Sequence, residues 1–150
     1  MHQIKLSKYS KECYSFLRIM STIFTKIING DIPSHKITEN DQFYAFLDIR
    51  PIAPGHTLVI PKIEIDRFFD LESDILAAYL PFAKPIALAI EKVIPCERVG
   101  LMVAGLEVPH AHLHLVPIRT IGDLSFTNAK PANQTDLEQI AIAIQNNLNQ

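Results

Sequence analysis

No stretch of this chain stays apolar long enough to cross a bilayer, because Lys, Glu or Pro interrupts each run first, so no membrane association is expected. A disulfide framework is absent too. Cys13 and Cys96 are the only cysteines, which points to a reduced, cytoplasmic setting. Positive charge is scarce in the body of the chain. The net charge is −2, and Lys5, Lys8, Lys11 and Arg18 against Glu12 give residues 1–20 a net +3, leaving −5 for the rest. A body that acidic argues against a long polyanion, so no nucleic-acid partner is expected, whereas a small phosphorylated ligand needs only a local site. Repeats and low-complexity segments are also missing. What remains is a 150-residue chain, 48% hydrophobic and 20% charged, with the size and composition of one globular domain.

Residues 1–20 read differently from the remainder. They are polar and basic, and their one apolar stretch, residues 14–20, is broken by Arg18, too short and too charged for a secretory signal. The expectation is a disordered or spurious extension ahead of a domain spanning 21–150, with Met20 as the true start. A transit-like leader is the alternative on composition.

Beyond that point the hydrophobic period assigns elements. Ile23, Phe24, Ile27 and Ile28 mark one face of a short helix, with Ser21 or Thr22 as N-cap and Asn29-Gly30 as its stop. Residues 36–39 and 43–47 read as strands joined through Asn40-Asp41. Residues 57–61 form a strand of fully buried type. From Glu72 to Val93 the period is helical, with Pro81 and Pro85 predicting a kink or a break. Residues 99–104 and 108–117 read as two adjacent antiparallel strands. A polar, irregular connection follows, and then a terminal helix over 135–148 with Thr135 as N-cap and Glu138 as its capping-box partner. The fold class is α+β: a mainly antiparallel sheet of about five strands, one long proline-interrupted helix and shorter helices.

The chemistry lies in Val108-Pro-His-Ala-His-Leu-His-Leu-Val-Pro117. On a strand, positions i, i+2 and i+4 share a face about 7 Å apart, so His110, His112 and His114 would line one side and Ala111, Leu113 and Leu115 the other. Three titratable rings backed by core suit catalysis. A solvated face and a zinc site completed by Glu107 are the competing readings. Asp48 could simply cap a turn before Pro51, His56 could be a satisfied buried ring, and Ile23, Phe24 and Phe46 would be core in almost any fold. His2 and His35 read as surface residues.

This pattern, together with Thr22-Ile-Phe-Thr-Lys-Ile-Ile-Asn-Gly-Asp-Ile-Pro33 and Ala45-Phe-Leu-Asp-Ile-Arg-Pro-Ile-Ala-Pro-Gly-His-Thr-Leu-Val-Ile-Pro-Lys62, resembles the histidine triad (HIT) superfamily. The closest branch is the Hint-like nucleotide phosphoramidases, and the likeness runs from Ser21 to Pro117. It implies hydrolysis at the α-phosphorus of nucleoside phosphoramidates or related AMP-type conjugates, with His112 as the nucleophile of a covalent nucleotidyl intermediate. His114 would assist the leaving group, while His110 and His56 would hold ring orientation and proton positions. Asp48 would bind the ribose hydroxyls. Ile23, Phe24, Ile27, Phe46, Ile49 and Leu58 would surround the base, with Gly105 and Glu107 on the phosphate side. The resemblance also implies a homodimer with a shared sheet and a purine nucleotide or nucleotidyl conjugate as ligand. Neighbouring imidazoles disfavour each other's protonated form, so the cluster should titrate as a coupled set.

The chain departs from that pattern in two places. Many relatives bind a structural zinc through two Cys and a His where Thr22, Thr25 and Glu64 stand here, so neither metal nor other cofactor is expected. The loop ahead of the triad is shortened to Ala104-Gly-Leu-Glu107 and lacks the Gln and hydroxyl that usually contact phosphate. A carboxylate at Glu107 would repel phosphate unless it turns outward, pairs with a base or binds a leaving ammonium. That loop keeps two alternatives open, a dinucleoside polyphosphate hydrolase and a non-catalytic nucleotide-binding module. Ser125 and Asn128 lie in the connection that passes near the active site in relatives.

Overall fold

The computed structural model describes residues 21–148; the expected extension at 1–20, including His2, lies outside the described residues. Helix α1 (Ile23–Ile28) opens the fold, with the Thr22 side chain accepting from the Thr25 amide as N-cap. It stops at Asn29, followed by Gly30 at φ 78°. Strands β1 (Lys36–Glu39), β2 (Phe43–Leu47), β3 (Thr57–Pro61), β4 (Arg98–Met102) and β5 (Leu113–Ile118) make one antiparallel sheet in the order β1-β2-β3-β5-β4. Helix α2 (Ser73–Val93) connects β3 to β4, and α3 (Gln134–Asn147) closes the chain.

Every residue of β2 and β3 is buried, because each face of the sheet is covered. Phe43, Ala45 and Leu47 of β2 face α2 and α3 in a core shared with Val59, Leu113, Leu115, Tyr79, Ile86 and Ile90. Tyr44 and Phe46 face the opposite way and join Leu58, Ile60 and the α1 residues Phe24 and Ile27. Each large apolar side chain so buried contributes about 1.5–3 kcal/mol. The small second core is what fixes α1 over the sheet.

Four expectations need correction. Helix α2 continues through Pro81 and Pro85 without a break. The two rings sit one turn apart on its exposed side, with Ala77 also exposed, so the carbonyls of Ala77 and Pro81 that lose donors face water. This helix is also 21 residues long with a mean hydropathy of 1.3, enough by length and composition to span a membrane. Tyr79, Ala83, Ile86, Ala89 and Ile90 are nevertheless buried against the sheet and α3. Finally, α3 begins one residue earlier than expected and is capped by Asn133, whose Oδ1 accepts from the Thr135 amide at 2.8 Å. His35, expected at the surface, is half-buried and bonds Gln134 Oε1 through Nε2 at 2.8 Å.

Candidate active site

The predicted strand over 108–117 begins only at Leu113, so His110 and His112 precede β5 and only His114 belongs to it. The β3–β5 ladder ends at the Val59–Leu113 pair. Past it, the Ala111 amide turns to the Ile65 carbonyl (2.7 Å), and the His110 ring takes the Pro61 carbonyl (2.8 Å). The alternation survives without the ladder. Ala111, Leu113 and Leu115 enter the helix-side core, and His110, His112 and His114 are buried on the other side.

Backbone groups assign the proton of each ring. A carbonyl can only accept, so His112, whose Nδ1 lies 2.6 Å from the His110 carbonyl oxygen, carries its proton on Nδ1 and leaves a lone pair on Nε2. An amide can only donate, so the Ile52 N–H at 3.0 Å makes His56 Nδ1 an acceptor and puts the proton on Nε2. That proton is donated to His114 Nδ1 at 2.9 Å, which leaves His114 with an outward N–H at Nε2. His110 donates from Nε2 to Pro61, and its Nδ1 accepts from the Thr22 hydroxyl at 2.9 Å. The site therefore offers one nucleophilic nitrogen beside one N–H donor, with the His112 and His114 rings 4.9 Å apart.

Burial keeps the supporting rings neutral. It is the main cause that holds His56 down at about 4 and His114 at about 3, with the neighbouring rings adding to it. His110 is lowered by burial as well, partly opposed by its bond to Pro61 and by the charge of Glu64. Asp48 is raised, first by burial and then by the charge of Glu107, against the Arg50 amide bond that favours the carboxylate.

The turn-capping reading of Asp48 holds, and its two oxygens make different contacts. Oδ1 caps the turn by accepting from the Arg50 amide at 2.8 Å, while Oδ2 lies 3.9 Å from His56 Nε2. Asp48, His56 and His114 bring possible metal-donor atoms within 4.8 Å of one another. Binding an ion there would require a lone pair on His56 Nε2, driving its proton to Nδ1 against the Ile52 N–H. The trio fits a hydrogen-bond chain better than a metal centre.

A cavity of about 370 Å³ is lined by His112 together with Asp66–Phe69, Val103–Leu106 and Ala111, while His114, Asp48, Phe24 and Phe46 lie outside its lining. Larger hollows, such as one of about 510 Å³ against Thr38, Pro81 and Leu148, contain no histidine, so chemistry rather than size picks out the site. Phe24 packs edge-on against His112 at 5.1 Å and against Phe46 at 5.7 Å. Ile27 and Leu58 are buried in the same cluster, whereas Ile23 and Ile49 are exposed. Gly105 adopts φ 74° in the short loop, and the Glu107 side chain is exposed.

Sequence reasoning missed Phe126, whose ring stands edge-on to His114 at 5.1 Å, while naming its neighbours Ser125 and Asn128. These two instead build the connection, Ser125 capping Thr127 and Asn128 bonding the carbonyls of Gly122 and Asp123. It also missed Ile52 and Pro61, which act through backbone atoms that carry no side-chain signal.

A family model of the HIT domain matches residues 29–121. The chain belongs to the HIT family. This HIT protein is 38% identical over 120 residues to adenosine 5'-monophosphoramidase HNT1 of Saccharomyces cerevisiae, covering 79% of this chain and 75% of that one. It is 37% identical over 133 residues to protein hit of Bacillus subtilis, covering 81% and 90%. Among solved structures, a HIT-like protein of Bartonella henselae superimposes with a TM-score of 0.75 at 31% identity, over 84% of this chain and 95% of that one. A zinc-bound histidine triad family protein of Mycobacterium smegmatis gives a TM-score of 0.74 at 31% identity, over 86% and 94%. The five-stranded antiparallel α+β architecture is thus that of the HIT fold.

Proposed function

We propose that this protein is a nucleotidyl hydrolase that cleaves the bond to the α-phosphate of AMP-type phosphoramidates and related nucleotidyl conjugates. The observation that carries the reading is the pairing of an unprotonated His112 Nε2, beside an open cavity, with the N–H of His114. In the first step the His112 lone pair forms a bond to phosphorus as the bond to the leaving nitrogen breaks; the His114 Nε2–H donates a hydrogen bond to that nitrogen, and the amine departs with a proton taken from solvent, so His114 stays neutral. The His110 carbonyl stabilises the positive charge that develops on the His112 ring. In the second step water bonds to phosphorus, the phosphorus–Nε2 bond breaks to restore the His112 lone pair, and the water proton returns to solvent. An imidazole is suited to this because its phosphoramidate is labile enough to turn over.

Asp48 Oδ2 would take the ribose hydroxyls and the Phe24–Phe46 pair the base, together with the exposed Ile23 and Ile49. The relationship to an adenosine monophosphoramidase supports both the substrate class and the adenine preference. Two copies would join through β4, an edge strand that leaves Leu101 exposed at 49%, with Val103 just past its end exposed at 43%. The acidic body supports a small ligand over nucleic acid, and the free, half-buried Cys96 accords with a cytoplasmic setting.

The test is a panel of AMP-amidate, aminoacyl-adenylate and diadenosine polyphosphate, assayed with and without a chelator on the wild type and on His112→Asn. Hydrolysis of the amidate, insensitive to chelator and lost in the variant, is the expected result. Because Glu107 gives the phosphate loop a carboxylate in place of a donor, the second reading is a nucleotide-binding module without turnover. AMP binding with no hydrolysis of any panel member would establish that reading instead.

A further inference from the structure

The first turn of α1 and the chain beyond β3 meet in a polar cluster that the mechanism above does not use. Glu64 Oε2 accepts from the Thr25 hydroxyl and from the Thr22 amide, the latter at 3.2 Å. Thr22 Oγ1 accepts from the Thr25 amide and stands 2.9 Å from His110 Nδ1 but 3.4 Å from Glu64. Its single proton therefore goes to the ring. Burial pushes the Glu64 carboxyl up, but the bonds from Thr25 and Thr22 and the nearby His110 outweigh it and hold it low, so it stays an acceptor.

We propose that Glu64, through Thr22 and Thr25, is a positioning residue for the nucleophile, clasping α1 to His110 and so fixing the carbonyl that orients His112. Two lines of contact carry the effect. The His110 ring is held at both nitrogens, by Thr22 and by Pro61, which leaves its own carbonyl fixed 2.6 Å from His112 Nδ1. The clasp also seats Phe24, one residue before Thr25, whose ring lies 5.7 Å from His110 and 5.1 Å from His112. An exposed carboxylate outside the cavity thereby governs the geometry of a buried nucleophile, and small displacements there cost rate steeply.

The role builds on the hydrolase reading, but its decisive measurement does not need activity. The ring nitrogens of His110 and His112 are followed by ¹⁵N NMR in the ligand-free wild type, Glu64→Ala, Glu64→Gln, Thr22→Val and Thr22→Ser. Glu64→Ala and Thr22→Val are expected to shift the Nδ1 signal of His110 and to perturb the Nδ1–H of His112. Glu64→Gln, whose amide oxygen still accepts, and Thr22→Ser, which keeps the hydroxyl, restore both. With AMP-amidate, kcat falls about tenfold in the first pair while KM stays within about twofold. If Thr22→Val fails to fold, Glu64→Ala, altered at an exposed position, decides alone. Wild-type ring signals in Glu64→Ala overturn the proposal whether or not the protein hydrolyses anything. Altered signals without turnover in any form would keep the clasp and reject the hydrolase.

Discussion

His56 gives its Nε2 proton to Nδ1 of His114 across 2.9 Å, and the backbone amide of Ile52 dictates that direction. A single peptide N–H thus sets the tautomer of two rings in series. Replacing His56 with Ala should free His114 to populate both tautomers and lower kcat by roughly 10- to 100-fold with little change in nucleotide affinity. It should also cost about 1–3 kcal/mol of stability, since the buried Ile52 N–H loses its acceptor. The tautomer mixture would be visible in the ring ¹⁵N spectrum, and a single unchanged His114 form would refute the relay.

Acid should unfold this protein through the same rings. His56 and His114 titrate near 4 and 3 when folded but near 6.5 when unfolded, so the unfolded chain binds more protons at intermediate pH. The stability they contribute is complete above about pH 6.5 and is lost progressively as pH falls through 4 to 3. His110 is lowered too and acts in the same direction. Urea melts at pH 7, 5 and 4 should show a midpoint that drops at each step. A His56→Phe/His114→Phe double variant should show a shallower drop.

Much of this was legible in the residues, and the failures share a cause. Strand β3 and helix α1 announce themselves by apolar spacing and capping, and the histidine alternation survives even where no ladder exists. The late start of β5 was not legible, because it depends on β3 running out at Pro61 while the His110 ring claims that carbonyl. Pro81 and Pro85 misled because a helix tolerates lost bonds on a wet face, and exposure is a tertiary property. Glu64 stood out only as an odd residue in a familiar place. Its bonds to Thr22 and Thr25 join positions about forty apart in sequence.

Asp48→Asn tests the proposed ribose contact. The amide oxygen can still accept from the Arg50 N–H, so the turn and the fold should persist. Losing the charge-assisted bond to the ribose should raise KM by about tenfold while kcat changes less than about threefold. Steady-state kinetics on AMP-amidate separate the two. A collapse of kcat with KM unmoved would place Asp48 in the chemistry rather than in binding.

Gly55 stands immediately before His56 at φ 89°, and a Cβ there would come 2.8 Å from Ile94 Cγ1. Gly55→Ala should therefore lose about 1–3 kcal/mol, a drop of several degrees in Tm. Gly30, at φ 78° with open space around it, is the control and should lose less. Equal melting temperatures for the two variants would mean that close packing against Ile94 is not what holds this turn.

The anchors of the four rings are Ile52, Pro61, Thr22 and the His110 carbonyl, and none of them belongs to the segment from Val103 to Glu107. That segment can shorten, lengthen or change its charge without disturbing the nitrogen that reacts. In the proposed reaction, divergence in what departs from phosphorus is then free to accumulate in five residues, while the rings that would attack it stay as they are.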